Sequence, residues 1–524
     1  MDNYYILRPF DLDTQLLESC FSQKITDLEQ FKELYFIKKY PFYGSLEEKK
    51  PEEFQKFFDV YENLRIFIMN YKEMVPIKNL SLLETKTERG KVELKRKEVA
   101  FIFMLSFFEL INIEVNIKTN GFIFSPILNS KIGAKFQFGR CFLNYLITIG
   151  KWLGEKNKIL DETITFVRQN IEEIGIYDKN IDLCEVNIIE KGSLFDGDAS
   201  YCVDFANKYI GGGVLRGGCV QEEILFAIDS EATVAMLLME VMHPNDAIGI
   251  FNTIQYSNYK GYGKSFKYEE SAIPEEQDKI KKHKIIAIDA ISSYKQKGLI
   301  DQKDIMRDIH KAYVGFDLIN FKNEVKPKET IKDEKSEKEK EKVKEKEKEK
   351  EKEKDIDKEK GKEKEKEKEK DKEKGKEKEK EKGKEKDKEK GKEKEKEKGK
   401  EKGKGKGKKK DKEKEKDKDK EKNVSSGTEK VLEKTISTGN WGCGVFGGNH
   451  VLKFIQQWIA ASFAGVKRLD YYTFEKDEMK VVIQRLDEIK NKYKKANELY
   501  NVIVFNQISD NNIIDEILKN DINK

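Results

Sequence analysis

Two adjacent carboxylates, Glu222 and Glu223, are the residues whose spacing most strongly suggests chemistry in this 524-residue chain. They lie in the segment VDFANKYIGGGVLRGGCVQEEILFA (203–227), where seven residues separate them and Gln221 from the three glycines Gly211–Gly213. Paired carboxyl groups can act as general acid and base, and residues without a Cβ let backbone amides approach an anion closely. Each feature also has a structural explanation, because glycines form turns and acidic residues stabilise helix N-termini.

Asp204 and Asn207 precede the glycines at the end of a predicted strand. Val203 and Phe205 alternate with Asp204 as apolar and polar residues do in a strand. Ligands of open α/β sheets bind at the carboxyl ends of the strands. We therefore expect Asp204 and Asn207 to face the same pocket as the paired carboxylates.

Alternating strands and helices must position these residues. Residues 1–180 show helical periodicity and predict a helical accessory region, whereas the residues after 180 predict an α/β core over 181–325 and 429–524. The core strands are expected at 186–189, 200–205, 247–251, 285–291 and 471–474. The core helices are expected at 230–242, 305–313, 451–463 and 479–493. Buried apolar strands between helices favour a three-layer α/β/α fold with a mixed sheet.

A tract of lysine and acidic residues interrupts this core. Residues 331–422 contain 45 lysines and 35 acidic residues, so the net charge of +5 for the chain divides into +10 in the tract and −5 elsewhere. With no apolar face to bury, residues 326–428 predict a disordered insertion. Its interleaved acids favour an inert insertion over one that binds chromatin or an anionic polymer.

The composition also argues against several classes of protein. No stretch approaches the ~18 apolar residues of a membrane helix, and the start MDNYYILRPFD does not resemble a signal peptide. The chain has four histidines, and its scattered cysteines form no C-x-x-C pair, which argues against a structural zinc site and a disulfide framework. The expected location is a reducing intracellular compartment, nuclear or cytoplasmic. The cysteines are Cys20, Cys141, Cys184, Cys202, Cys219 and Cys443.

Taken together, these motifs resemble the poly(ADP-ribose) glycohydrolase family. The resemblance rests first on the triple glycine with its Gln-Glu-Glu and on the preceding VDFAN. Further similar segments follow in the family's order: QYSNYKGYGKSF (255–266), KIIAIDA (284–290), KAYVGF (311–316), TGNWGCGVFGG (438–448) and DYYTF (470–474). A weaker similarity lies on the N-terminal side, at ITFVRQNIEEI (164–174). The resemblance implies a macrodomain-like core with a helical N-terminal extension. It also implies metal-free, cofactor-free hydrolysis of ribose–ribose bonds in poly(ADP-ribose), mainly from chain ends, releasing ADP-ribose.

The resemblance also assigns roles to individual residues. Glu223 is implied as the general acid and then base, Glu222 as the group that holds the ribose hydroxyls, and Asp204 as a third catalytic residue that orients the reacting ribose with Asn207. The diphosphate is expected between the two glycine-rich loops, Gly211–Gly213 and Gly444–Gly448. The implied substrate-binding residues are Asn207, Gly211, Gly212, Gly213, Gln221, Tyr262, Gly444, Val445, Phe446, Gly447, Gly448 and Phe474. Tyr472 and Phe474 alternate on a predicted strand, so one of them can instead belong to the core.

One segment departs from the family pattern. GSLFDGD (192–198) is one residue short where the family carries an apolar residue and an acid that reads adenine, which leaves Leu194 and Asp196 as candidates. Two other functions stay open: a non-catalytic macrodomain that reads ADP-ribose, and a hydrolase of mono-ADP-ribosyl or O-acetyl-ADP-ribose ester linkages. The expected partners are poly(ADP-ribose) and ADP-ribosylated proteins. We expect a monomer that has no membrane or specific nucleic-acid partner.

Overall fold

The structure is a computed structural model, and it describes most of the chain outside the charged tract. The described residues are 11–70, 82–85, 88–112, 119–172, 175–195, 197–270, 273–274, 276, 279–292, 301–321, 434–506 and 512–520. The predicted disordered insertion and the candidate Asp196 lie outside them. The helical region and the α/β core belong to one compact unit.

An eight-stranded mixed sheet forms the centre of this unit. Its order is β2-β4-β7-β10-β6-β11-β12-β5, with antiparallel pairs from β2 to β10 and parallel pairs from β10 to β5. The bounds are Arg89–Lys95 (β2), Thr163–Asn170 (β4), Glu185–Ile189 (β5), Tyr201–Ala206 (β6), Asp246–Ile254 (β7), Lys282–Asp289 (β10), Thr435–Gly439 (β11) and Arg468–Tyr472 (β12). Two small antiparallel pairs stand apart: Asp11–Leu12 (β1) with Ile111–Asn112 (β3), and Ser257–Lys260 (β8) with Lys267–Glu270 (β9).

Both faces of the sheet are covered by apolar side chains, as a strand of nearly continuous aliphatic residues requires. On β10, Ile285 and Ala287 belong to one buried cluster, whereas Ile286 and Ile288 belong to another. Side chains alternate across a strand, so the two clusters lie on opposite faces. The predicted three-layer α/β/α architecture is therefore confirmed.

The first cluster is shared with helices of the N-terminal region and the short helices after β6. They are Thr14–Phe21 (α1), Leu28–Lys32 (α2), Tyr35–Lys39 (α3), Pro41–Lys49 (α4), Pro51–Met69 (α5), Arg96–Phe107 (α6), Ser125–Leu128 (α7), Gly133–Glu155 (α8), Gln221–Ile228 (α9) and Ala235–Leu238 (α10). The second cluster is shared with Gln302–Phe316 (α11), His450–Phe463 (α12), Lys480–Lys492 (α13), Ala496–Phe505 (α14) and Ile513–Lys519 (α15). Among the helices of the described ranges, none has the length and apolarity needed to cross a membrane.

Residues before 180 contribute more than helices. The strands β2 and β4 come from this region, so the boundary predicted near residue 180 does not coincide with the edge of the sheet. β2 escapes the sequence pattern because it is an edge strand whose only fully buried side chain is Leu94. A second correction concerns the helix predicted over 230–242: a 3₁₀ turn at Ser230–Val234 precedes the four-residue α10, and the chain is extended at Met239. Within this turn, Glu231 is buried and accepts hydrogen bonds from Arg96 and Tyr256.

Candidate active site

The site begins where α9 meets the end of β6. The side-chain amide of Gln221 accepts a hydrogen bond from the backbone N–H of Phe205 at 2.8 Å and donates to the carbonyl oxygen of Val203 at 3.0 Å. These two bonds attach the N-terminus of α9 to β6. Gln221, predicted to bind substrate, lines the cavity described below, and both ends of its side-chain amide are bonded to the backbone of β6.

Backbone amides hold the two carboxylates that follow. Glu222 accepts from the N–H groups of Asn207 at 2.8 Å and Gly211 at 2.7 Å. Glu223 accepts from Gly213 and Val220, both at 2.8 Å, and the bond from Val220 is half of a helix capping box. Each of the four carboxylate oxygens therefore has a backbone donor that fixes its orientation.

The backbone amides of the triple glycine make hydrogen bonds within the protein. Besides the two amides above, the N–H of Gly212 donates to the carbonyl oxygen of Tyr209 at 3.1 Å. All three amides thus have hydrogen-bond partners inside the protein, so in this structure none of them is left unpaired to receive the diphosphate. The absence of a Cβ matters for another reason: at Gly212 (φ +49°) a Cβ would lie 2.4 Å from Glu222 Oε2 and 2.6 Å from Glu223 Oε1.

Asp204 is the third carboxyl group of the cluster, and it is fully buried on β6. Neither of its carboxyl oxygens has a hydrogen-bond partner among the described residues. Burial, followed by the charge of Glu223, raises the pKa of Asp204 well above its usual value. A buried carboxyl group without hydrogen-bond donors is more stable in its neutral form, so the surroundings of Asp204 favour its protonated state.

Glu222 is subject to two opposing effects on its pKa. The helix N-terminus and the amides of Asn207 and Gly211 favour the charged carboxylate. Burial, Asp204 and Glu223 oppose them and raise the pKa of Glu222 well above its usual value. Crowding and burial therefore dominate at this residue.

A cavity of about 770 Å³ opens beside these carboxyl groups. Glu222 and Glu223 form part of one wall, with Phe205 and Asn207 from the end of β6. Leu194 and Phe195 also line it, which keeps Leu194 as a candidate adenine contact. The remaining lining residues come from the β8–β9 region, from the second glycine-rich loop and from the segment after β12.

The second glycine-rich loop faces the cavity with Gly444, Val445 and Phe446. Within the described part of the chain, the amides of these three residues have no hydrogen-bond partner. Gly447 and Gly448, predicted to bind substrate as well, do not line the cavity. Their amides close the loop on the carbonyl oxygens of Gly444 at 3.1 Å and Gly442 at 2.9 Å.

Aromatic residues stand at the rim of the cavity. Tyr262 is 57% exposed and Phe474 is 41% exposed, and both line the cavity. Tyr472 is buried in the core, so of the two alternating aromatic residues it is Phe474 that faces the site. β12 ends at Tyr472, earlier than predicted, and Phe474 adopts a left-handed backbone (φ +53°) beyond it.

Several cavity residues were not predicted from the sequence. Asn440 bonds the carbonyl oxygen of Thr473 at 3.0 Å, and the indole of Trp441 donates to the carbonyl oxygen of Ile288 at 2.9 Å. Their position between Gly439 and Gly442 is the one signal that could have identified them. The predictions also gave no role to His450 and Lys476, which line the cavity beside this loop. The described residues contain no group of three His, Cys, Asp or Glu side chains placed to hold a metal ion.

Several known proteins resemble parts of this chain. The relatives include poly(ADP-ribose) glycohydrolase 1 of Arabidopsis thaliana, 40% identical over 143 residues, which are 26% of each chain. Another is poly(ADP-ribose) glycohydrolase 1 of Caenorhabditis elegans, 38% identical over 136 residues, 23% of this chain and 17% of the relative. The probable poly(ADP-ribose) glycohydrolase 2 of Arabidopsis thaliana is 24% identical over 314 residues, 56% of this chain and 43% of the relative. The chain thus spans less than half of the length of each of these relatives.

A family model covers a larger part of the chain. The model described as poly(ADP-ribose) glycohydrolase, Macro domain fold, matches residues 175–481, more than half of the chain. That range includes the carboxyl cluster, the second glycine-rich loop and the rim aromatics. The chain therefore belongs to the poly(ADP-ribose) glycohydrolase family.

Proposed function

We propose that this protein hydrolyses the ribose–ribose O-glycosidic bond of poly(ADP-ribose), mainly at chain ends, and releases ADP-ribose. The observation that carries the proposal is the pair Glu222 and Glu223, each held by two backbone amides at the wall of the cavity. Family membership supports the same substrate. A reader of ADP-ribose needs no such pair of fixed carboxyl groups.

Hydrolysis of a glycosidic bond needs an acid for the departing oxygen and charge stabilisation at an oxocarbenium-like carbon. Glu223 protonates the departing ribose oxygen and, once ionised, activates the attacking water. Glu222 holds the ribose hydroxyls beside the bond that breaks, and Asp204 supports this arrangement from β6. Repulsion among the three carboxyl groups favours the retention of a proton in the cluster, which a general acid requires.

The rest of the cavity suits the remaining parts of ADP-ribose. The amides of Gly444, Val445 and Phe446 receive the diphosphate, because unpaired backbone N–H groups at a loop bind anions. Tyr262 and Phe474 pack on the ribose and adenine from the rim. The natural substrates are then polymers carried by ADP-ribosylated proteins, and the protein acts as a monomer.

Incubation with poly(ADP-ribose) of defined length, followed by chromatography of the products, tests this function. Free ADP-ribose as the main early product would support it, whereas early release of long oligomers would refute the preference for chain ends. Intact polymer that co-elutes with the protein would point to a reader. A parallel assay on a protein that carries a single ADP-ribosyl group tests hydrolysis of that linkage.

A further inference from the structure

Asn120 belongs to the helical region, between β3 and α7, yet it contacts the loop that holds the paired carboxyl groups. It is 7% exposed. Its side-chain Nδ2 donates to the carbonyl oxygens of Ile210 and Gly212, each at 2.8 Å, and lies 3.2 Å from the carbonyl oxygen of Tyr209. One buried amide thus bonds the loop from the side opposite to the carboxylates.

The two shorter bonds reach the peptide units that hold Glu222 and Glu223. The carbonyl of Ile210 shares a peptide unit with the N–H of Gly211, which donates to Glu222 at 2.7 Å. The carbonyl of Gly212 shares one with the N–H of Gly213, which donates to Glu223 at 2.8 Å. Each peptide unit is therefore fixed at both ends, and a bond accepted by its carbonyl polarises its N–H and strengthens the bond to the carboxylate.

Arg216 fixes the orientation of the Asn120 side chain. Its guanidinium donates to Asn120 Oδ1 and, at 3.1 Å, to the backbone carbonyl oxygen of Asn120. Because a guanidinium has no acceptor, Asn120 must present its oxygen to Arg216 and its NH₂ group to the loop. Arg216 also donates to the carbonyl oxygen of Gly212 at 3.3 Å, so it contacts the loop directly as well as through Asn120.

We propose that Asn120, oriented by Arg216, is a positioning residue for catalysis: through two peptide units it aligns Glu222 and Glu223 and strengthens the hydrogen bonds they accept. The helical region thereby supplies part of the active-site support. The inference rests on the proposed function for its kinetic consequence, whereas its effect on the carboxyl groups does not require turnover.

The test compares Asn120→Ala and Arg216→Met with the control Asn63→Ala. Asn63 also donates from its amide to a backbone carbonyl of the helical region, that of Gly150 at 3.0 Å, but it has no link to the loop. Arg216 is exposed, so its replacement tests the proposal in a folded protein even if Asn120→Ala is unstable. Thermal midpoints are measured for all three variants so that activities are compared at equal folded fractions.

Two readouts separate positioning from a general loss of structure. Asn120→Ala is expected to lower kcat on poly(ADP-ribose) about 30-fold or more while the Kd of ADP-ribose changes less than about threefold, because misplaced catalytic groups affect turnover most. Arg216→Met is expected to act in the same direction with a smaller loss, about three- to tenfold. In ¹³C NMR of glutamate-labelled protein, the titration midpoint of Glu222 should rise in Asn120→Ala, because a weaker bond from the Gly211 amide stabilises its carboxylate less.

The outcomes distinguish this inference from the proposed function. An unshifted titration midpoint of Glu222, or a loss of kcat no larger than that of Asn63→Ala, would overturn the role of Asn120 while leaving hydrolysis by the wild type intact. A wild type that does not hydrolyse the polymer would refute the proposed function. The titration shift of Glu222 would then still decide whether Asn120 controls this carboxyl group.

Discussion

Gly212→Ala is the substitution whose effect follows most directly from the geometry of the site. The alanine Cβ would lie 2.4 Å from Glu222 Oε2 and 2.6 Å from Glu223 Oε1, whereas ordinary van der Waals contact begins at 3.4 Å. The backbone at this position is also left-handed, with φ +49°. The single added methyl group must therefore displace both carboxyl groups or distort the loop.

The expected loss of activity is large relative to the loss of stability. Relief of the overlap moves a carboxylate by about 1 Å, and a misplacement of that size costs about 100-fold in rate, or about 2.7 kcal/mol of transition-state stabilisation. The left-handed conformation lowers the free energy of unfolding by about 1–2 kcal/mol. Because the Gly212 amide does not face the cavity, the Kd of ADP-ribose should change less than about tenfold.

Steady-state kinetics on short poly(ADP-ribose), titration calorimetry with ADP-ribose and urea unfolding test this prediction together. Gly465→Ala is the matched control, because Gly465 is also left-handed (φ +72°) but has open space around its Cβ position. Because of its left-handed backbone, the control should show a similar decrease in the free energy of unfolding, but it should keep its kcat. If Gly212→Ala retains wild-type kcat, the glycine is only a turn residue and the proposed support of the carboxylates is wrong.

Two further predictions concern the buried proton and the charged tract. The raised pKa of Asp204 means that the folded protein holds the carboxyl proton more tightly than the unfolded chain does. Asp204 therefore lowers the free energy of unfolding progressively as pH rises above the unfolded pKa of about 3.9. Asp204→Asn should therefore gain stability relative to the wild type between pH 5 and pH 8 in urea unfolding, and a difference that does not change with pH would contradict this assignment. Deletion of residues 331–422 should leave kcat on short polymer unchanged, because Lys434 Nζ lies 2.6 Å from Asn320 Oδ1 and a short connection can join these flanks. A loss of kcat in that deletion variant would show that the tract contributes to the active site.

The sequence predicts those strands whose buried side chains are apolar. β7 and β10 are recognisable because runs of Ile and Ala buried on both faces have few alternatives to a central strand. β11 is not recognisable, because its segment TISTG is rich in polar residues that usually indicate a loop. Tertiary hydrogen bonds satisfy these buried side chains: Ser437 bonds the carbonyl oxygen of Leu194 at 2.8 Å, and Thr438 bonds Gln457 at 2.6 Å.

The site shows the same division between local and distant information. The pairing of Glu222 with Glu223 and their link to the glycines lie within one short segment, so their spacing is visible in the sequence. The partners of the glycine amides are not visible in the sequence, because the same residue pattern suits a phosphate of a ligand and a carboxylate side chain of the protein equally well. Asn120 escapes prediction for a further reason: about 90 residues separate it from the loop it contacts, and only the folded chain brings them together.

The central claim is that the loop-held carboxyl groups perform the chemistry, and Glu223→Gln tests it most directly. Glutamine keeps the size of the side chain but cannot donate a proton of suitable acidity. Measured beside the wild type, the variant should lose about 10³-fold or more of its kcat on poly(ADP-ribose) and still bind ADP-ribose in titration calorimetry. Turnover close to that of the wild type would contradict the account and remove Glu223 from the acid–base role.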